Sequence, residues 1–481
     1  MSSLVPLPAH VRTTDGSLPL AGLSVVAGPS DEEQRLAAVG RDLLGLAPAE
    51  SSEGATLVLA LDGAAGPDGA RSPERYTLEV TAAGAALTAA TTEGLFRGLT
   101  TLAQLVTADD EGRAVLPAVV VQDAPRYAWR GLSLDVARHF FEPDVVERVI
   151  DEMARYKLSV LHLHLTDDQG WRLELPSRPL LTEISGKGEI GDGVGGFYTL
   201  DEFRRLQQYA AERYVQVVPE FDMPGHTNAA THAYGELVPG GEPTARFGGE
   251  EVGFSKLSLD LPETEPFLRD VFGDIAAATL GEYVHIGGDE VFTMGADEYG
   301  RFVLLAHEVV TAAGKKVVGW QEIAEAELPA GTVVQYWEVR KDTAPLRRAV
   351  AGGAKLLLSP ADRVYLDMKY DADDATGQDW GASMPPVELR DTYDWEPDAA
   401  VEGIDGDAVI GVEAAIWSER IPDEDTLFMR LLPRLAASAE VAWTPASSRS
   451  WEGFAGRVAR ESARWRERGL TFHASPGVDW A

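Results

Sequence analysis

The stretch Tyr283-Val284-His285-Ile286-Gly287-Gly288-Asp289-Glu290 decides how the chain is read. Its first residues are apolar and partly β-branched, the composition of a buried strand. Two glycines then let backbone or ligand come close. Two adjacent carboxylates follow. Neighbouring residues at a strand end point different ways, so Asp289 and Glu290 cannot act alike on one bond. Carboxylates in unlike environments can hold different protonation states, one ionised and one acid. The plain alternative is a solvated acidic turn, and the surrounding sequence has to decide between them.

Apolar runs of the same kind recur on both sides of this stretch. Strands are expected at 131–136, 160–165, 215–219, 283–287, 316–320, 333–337, 355–358 and 409–417. Helical patterns lie between several of them. Val145, Val146, Val149, Ile150 and Met153 share one face of an expected helix over 143–156, with Pro143 near its start. Thr199 and Glu202 have capping-box spacing before 203–213. Segments 265–280, 296–313 and 426–441 also suit helix. Eight strands alternating with helices argue for an α/β fold, a (β/α)₈ barrel. An open doubly wound sheet would carry a Gly-rich phosphate loop after its first strand, and Leu134-Asp135-Val136-Ala137-Arg138 is not one.

A barrel keeps its chemistry at the C-terminal strand ends, and polar and aromatic residues collect there. In order they are Arg138 and His139, Asp167 and Asp168, then Glu220, Asp222 and His226. Asp289 and Glu290 follow the fourth strand. Trp320 ends the fifth, Trp337 the sixth, and Trp417 and Glu419 the eighth. A long connection over 359–408 carries Tyr365, Asp367 and Trp380, an aromatic content at odds with disorder.

Residues 1–123 read as a separate non-catalytic α+β domain, and 124–481 as the barrel with a C-terminal helical segment. The first part has an expected helix over 30–44 capped by Ser30, strands at 56–61, 76–81 and 85–90 with a turn at Gly84, a helix over 92–106, and a closing strand at 115–121. Asp123-Ala124-Pro125-Arg126 marks the boundary.

The chain has 481 residues, 42 Lys plus Arg against 77 Asp plus Glu, a net charge of −35, and no cysteine. That balance argues against nucleic acid and anionic membrane as partners, because both need positive patches. Absent cysteine excludes disulfides, thiolate chemistry and Cys-ligated metal. The start, Met1-Ser2-Ser3-Leu4-Val5-Pro6, has no basic n-region or apolar h-region. The expectation is a cytoplasmic chain, or a secreted one whose leader has been removed. Oligomeric state is left open.

Trp320, Trp337, Trp380 and Trp417 converging on one mouth suit a carbohydrate, whose rings have apolar C–H faces and hydroxyl edges. An oversized aromatic core is the alternative. His162 and His164 share one strand face above Asp167 and Asp168, so a divalent metal is conceivable. A buried imidazole more often pairs with a carboxylate, which is the favoured reading here. Arg138 is read either as a structural ion pair or as a fork donor to vicinal hydroxyls.

Four motifs in order carry a resemblance. Leu134–Phe141 reads LDVARHFF, His162–Trp171 HLHLTDDQGW, Pro219–His226 PEFDMPGH and His285–Glu290 HIGGDE. With Gly319-Trp320, Tyr336-Trp337, Tyr365-Leu366-Asp367 and Trp417-Ser418-Glu419, the chain resembles glycoside hydrolase family 20, notably its bacterial β-N-acetylhexosaminidases. The resemblance implies an exo-acting enzyme that removes terminal β-linked GlcNAc or GalNAc without a metal or organic cofactor. Glu290 would be the general acid/base, and Asp289 would hold the 2-acetamido group. Tyr365 would bind the acetamido oxygen, Trp320, Trp337 and Trp380 would wall its pocket, and Trp417 would lie under the ring. Arg138, Asp367 and Glu419 would bind hydroxyls, while Asp167 and His226 would support Glu290. Gln321 departs from the family, which more often has Asp there. The resemblance also implies a substrate-assisted mechanism, a recognised exception among retaining glycosidases.

Overall fold

The computed structural model describes residues 3–46, 54–63, 66–404 and 406–480. Eight parallel strands close into a barrel. They are β1 (Trp129–Asp135), β2 (Val160–His164), β3 (Gln216–Glu220), β4 (Tyr283–His285), β5 (Lys316–Trp320), β6 (Val333–Tyr336), β7 (Lys355–Leu358) and β8 (Val409–Ile416). β8 pairs with β1 from Gly411↔Trp129 to Ile416↔Leu134, which closes the ring. All eight strands fall where apolar runs predict them. β4 is shorter than expected, because Gly287 and Gly288 turn to φ 68° and 108°, outside the strand region.

Side chains alternate between the helical ring and the lumen, so the lumen is built in layers. Trp129, Val160, Val218, Val318, Val333 and Leu357 plug its N-terminal end with an apolar cluster. Two residues further along their strands stand His162, Glu220, Trp320 and Gln335, all buried, and Glu413 of β8 joins them. Two further again stand His164, Asp222 and Trp337, at the C-terminal mouth. Period two thus explains why chemistry gathers at strand ends.

Helices Pro143–Arg155, Leu200–Ala211, Thr264–Ala278 and Ala296–Ala312 pack outside. The Thr199/Glu202 capping box is formed, and Pro143 occupies the first turn. The helix expected over 426–441 is two helices, Glu424–Leu431 and Arg434–Trp443. Pro433 lacks the N–H that a continuous helix needs at that position. Helix Trp451–Glu467 ends the chain's regular structure. Among the described residues no helix is long and apolar enough to cross a membrane.

The N-terminal part is one sheet in the order His10–Pro19, Ala114–Asp123, Tyr76–Thr81, Gly84–Ala89, Thr56–Leu61, Ser24–Val26, with Thr107–Ala108 paired to Ala114–Asp123. Helices Asp31–Leu43 and Thr92–Leu105 pack with it around a core of their own. The strand His10–Pro19 was not expected. It is an edge strand with mostly exposed residues, and such strands carry no hydrophobic alternation. Gly84 begins a strand instead of turning; the turn is Ala82-Ala83.

Candidate active site

At the C-terminal mouth lies a cavity of about 360 Å³. It is lined by Arg138, Asp167, His226, Asp289, Glu290, Trp337, Tyr365, Asp367, Trp380, Trp417 and Glu419, every residue given a role by the family resemblance except Trp320; His139, His162, Asp168 and Glu220 do not line it. Trp320 lies one layer deeper, 1% exposed, its ring 5.7 Å from that of Trp417. A cavity of about 400 Å³ elsewhere, beside the helix Asp31–Leu43, holds arginines already bonded to carboxylates or carbonyls, as Arg35 to Glu32 and Arg213 to Asp151.

The turn after β4 sets the two carboxylates. A Cβ on Gly287 would lie 1.8 Å from Oδ1 of Asp222, and one on Gly288 would lie 2.7 Å from Ile323. Only glycine fits either place. Glu290 itself adopts φ 51° and His226 φ 54°, left-handed conformations costly for such side chains and typical of sites fixed by their surroundings. Asp289 is 8% exposed, and Glu290 opens more to solvent.

A line of contacts runs behind Glu290. Asp167 Oδ1 lies 3.2 Å from His226 Nδ1, and His226 Nε2 lies 3.5 Å from Glu290 Oε2 and 3.6 Å from Asp289 Oδ2. Burial opposes charge on Asp167, but Arg138 outweighs it and holds the carboxyl well below its usual range. Burial likewise opposes the His226 imidazolium, and Asp167 with Asp289 reverses that, raising His226 well above its usual value. A cation therefore stands against both catalytic candidates.

Arg138 makes the ion pair that the first of its two readings expects. Its Nη2 lies 2.8 Å from Asp167 Oδ2 and its Nη1 donates to Asp135 at 3.4 Å. Its Nε is buried without a partner, and its guanidinium lies 5.2 Å from the Trp417 ring centre. Asp367 Oδ1 accepts from the backbone N–H of Trp417 at 3.3 Å, while its Oδ2 has no partner. Burial, then Glu419, pushes the Asp367 carboxyl up to about 7. Burial raises Glu419 as well, against Arg138.

Opposite stands an aromatic box. Trp337 and Tyr365 are parallel, 6.2 Å between centres, and Trp380 meets both edge-on at 6.0 and 5.6 Å. The long connection supplies two of these three rings. It is ordered through the bridge Tyr365↔Ala415, and Arg434 donates to the carbonyls of Met368 and Val387.

The sequence places Glu220 at a strand end without giving it a role, and Glu413 and Glu322 escape the sequence reading. Glu220 accepts from the Trp320 indole at 2.7 Å and lies 3.0 Å from His162. Burial would raise Glu220, but His285, His164 and His162 hold it well below its usual range. Glu413 faces Trp129 and His162. Glu322 accepts from the Trp337 indole at 3.2 Å and from Lys341 at 2.6 Å. Burial and then Asp289 push Glu322 up to about 7. Gln321, the departure noted above, accepts from the backbone N–H groups of Trp337 and Glu338, both at 2.9 Å, and so anchors the box. The signals were thin: Glu220 and Glu413 occupy lumen-facing positions in apolar strands, and Glu322 merely follows a singled-out pair.

His162 and His164 belong to this carboxylate web. Atoms of His162, Glu220 and His285, and of His164, Glu220 and Asp222, come within 4.8 Å of one another. Carboxylates raise His162 to about 9 against burial and raise His164 well above its usual value. Metal needs neutral imidazole, which the carboxylates oppose at His162 and His164, while burial lowers His285.

Comparison with known proteins gives the family. The model of the glycosyl hydrolase family 20 catalytic domain matches residues 127–298 and 293–446, and that of the family's domain 2 matches residues 1–124. A β-N-acetylhexosaminidase of Cellulomonas fimi is 50% identical, covering 99% of this chain and 97% of its own. The family 20 β-N-acetylhexosaminidase of Streptomyces coelicolor A3(2) superposes with a TM-score of 0.94 at 39% identity, over 100% of this chain and 99% of that one. A mutant Streptomyces plicatus β-hexosaminidase in complex with its product GlcNAc gives 0.92 at 39% identity, over 100% and 98%. The chain belongs to glycosyl hydrolase family 20.

Proposed function

We propose that the protein is an exo-acting β-N-acetylhexosaminidase that releases terminal β-linked GlcNAc or GalNAc with retention, using the substrate's own acetamide as nucleophile. The observation that carries the reading is the position of Asp289 and Glu290 as neighbours on one turn, facing an aromatic box. An ordinary retaining glycosidase sets two carboxyl groups about 5 Å apart across the bond, one of them the nucleophile. Neighbours on one turn do not suit that geometry, but they suit a division of labour.

In this reading the box of Trp337, Tyr365 and Trp380 holds the acetamido group, its oxygen taking the Tyr365 hydroxyl. Asp289 takes the acetamido N–H. The acetamido oxygen attacks C1, the bond to the leaving oxygen breaks, and Glu290 gives that oxygen its proton. A positive oxazolinium forms beside the Asp289 carboxylate. Glu290 then takes a proton from water as the water adds to C1, and the acetamide is restored. Arg138, Asp367 and Glu419 bind the ring hydroxyls and Trp417 carries the ring face. That Arg138, Asp367, Trp417 and Glu419 line the same cavity as Asp289 and Glu290 supports a chain end over an internal sugar.

The test is turnover of chromogenic β-GlcNAc, β-GalNAc and β-Glc substrates, with the first-formed anomer read by NMR. Substrate assistance predicts activity on the two acetamido sugars, a β-anomeric product and almost none on β-Glc, which lacks the nucleophile. Efficient β-glucosidase activity or a trapped glycosyl-enzyme would remove this mechanism.

A further inference from the structure

Asp222 has no part in the steps above, yet it is 2% exposed and lines the cavity beside Asp289. Its backbone N–H donates to the Thr166 hydroxyl at 3.1 Å, and its Oδ1 accepts from the Gly288 N–H at 2.9 Å. The missing side chain of Gly287 makes room for that carboxyl. Its other oxygen, Oδ2, is buried without a partner, and so is Oδ1 of Asp289. Atoms of Asp222, His226 and Asp289 lie within 4.8 Å of one another. Two ionised carboxylates offer only acceptors and repel, whereas one proton between them satisfies both oxygens.

The surroundings assign that proton. Asp289 has the cationic His226 3.6 Å from its Oδ2, which favours its anion. Burial raises both carboxyls, but on Asp222 the Asp289 anion outweighs the His226 cation, with Glu220 adding to it, whereas on Asp289 the His226 cation is the largest charge and opposes burial. We propose that Asp222 is the neutral member of a proton-sharing pair, its Oδ2–H donating to Oδ1 of Asp289 and fixing that carboxylate in the orientation the acetamide meets. Burial and then Asp289 hold the Asp222 carboxyl well above the usual carboxylate range, in agreement. The pair carries one negative charge, the complement of one oxazolinium charge. Asp222 is thus a positioning residue, and its importance for turnover rests on the role given to Asp289 above.

Two variants and one spectrum test this. Asparagine at 222 keeps both bonds, since its oxygen accepts from Gly288 and its N–H₂ donates to Asp289. Asp222→Asn is expected to keep kcat on β-GlcNAc within about threefold of wild type, because donor and acceptor both survive. Asp222→Ala loses the donor and should lower kcat by about tenfold to a hundredfold, with KM moving less. Infrared difference spectra at neutral pH should show the carbonyl band of an un-ionised acid in wild type that Asp222→Asn lacks. Asn no better than Ala, in variants that melt alike, overturns the proposal. The band reads the pair without substrate. Its absence overturns the pair even where β-GlcNAc is cleaved normally, and its presence stands should the assigned activity fail.

Discussion

Glu290 is held by backbone more than by side-chain bonds. Its left-handed φ, the two glycines before it and the glycine-sized gap over Asp222 leave the turn one shape. Such strain persists only where the surroundings over-determine it. The carboxyl then projects into the cavity with His226 behind it. Replacing Glu290 by Gln keeps that shape and removes the transferable proton. Glu290→Gln is expected to lower kcat by about 10²–10⁴, the usual size of general acid–base help. The loss should shrink for a dinitrophenyl leaving group, which needs little protonation. Steady-state rates on a poor and a good leaving group measure it, and equal losses on both would reassign the acid. Trp417 and Trp320 teach a related lesson. Trp320 ends β5 and Trp417 directly follows β8, but Trp320 is sealed beneath the cavity and Trp417 forms part of its wall.

At the scale of the element, the layers of the lumen join strands that are far apart in sequence. His162 on β2 reaches Glu413 on β8 at 2.9 Å and lies 3.0 Å from Glu220 on β3. Its pKa rises from 6.5 to about 9 although burial alone would lower it, with Glu220 the main cause. Between those values the folded state binds a proton that the unfolded state has released. Its contribution is therefore complete below pH 6.5 and is lost as pH rises toward about 9. Melting curves of wild type and His162→Gln should lie furthest apart at pH 6 and converge toward pH 9; curves parallel across the range would mean a neutral His162. This web also marks where the sequence stops being legible. Strands buried on both faces and helices with Ser30 or Thr199 caps announce themselves locally, and the barrel follows from their alternation. The bond between Trp320 and Glu220 spans 100 residues, and no local pattern encodes it. The strand His10–Pro19 and the break at Pro433 were missed for opposite reasons. The first lacks any hydrophobic pattern, and in the second a helical pattern runs straight across a residue that cannot propagate it.

Across the whole molecule, two cores meet at one ionic seam. Helix Arg434–Trp443 buries Trp443 in the core of the N-terminal sheet, and Ala154 joins it there. Beside them Glu74, 5% exposed, takes Arg130 of β1 on both oxygens at 2.9 and 2.5 Å and Arg97 of the helix Thr92–Leu105 at 2.8 Å. Arg130 lies 4.9 Å from the Trp443 ring centre. In a chain of net charge −35 this carboxylate answers two buried cations at once. Burial works against its charge, and Arg130 and then Arg97 outweigh burial, holding Glu74 below its usual range. Removing one member of a buried ion pair strands the others, at a cost of about 3–5 kcal/mol. Glu74→Gln keeps the volume and one acceptor but leaves both guanidiniums short of their counter-charge. It is expected to destabilise the protein by that order in denaturant unfolding, while the folded fraction keeps its kcat, since Glu74 sits at the N-terminal end of the barrel, away from the mouth. If this seam couples the two cores, the wild type is expected to unfold in one transition and Glu74→Gln in two. An unchanged midpoint in Glu74→Gln would assign the coupling to Trp443 and the apolar contact instead, which Trp443→Ala would then expose.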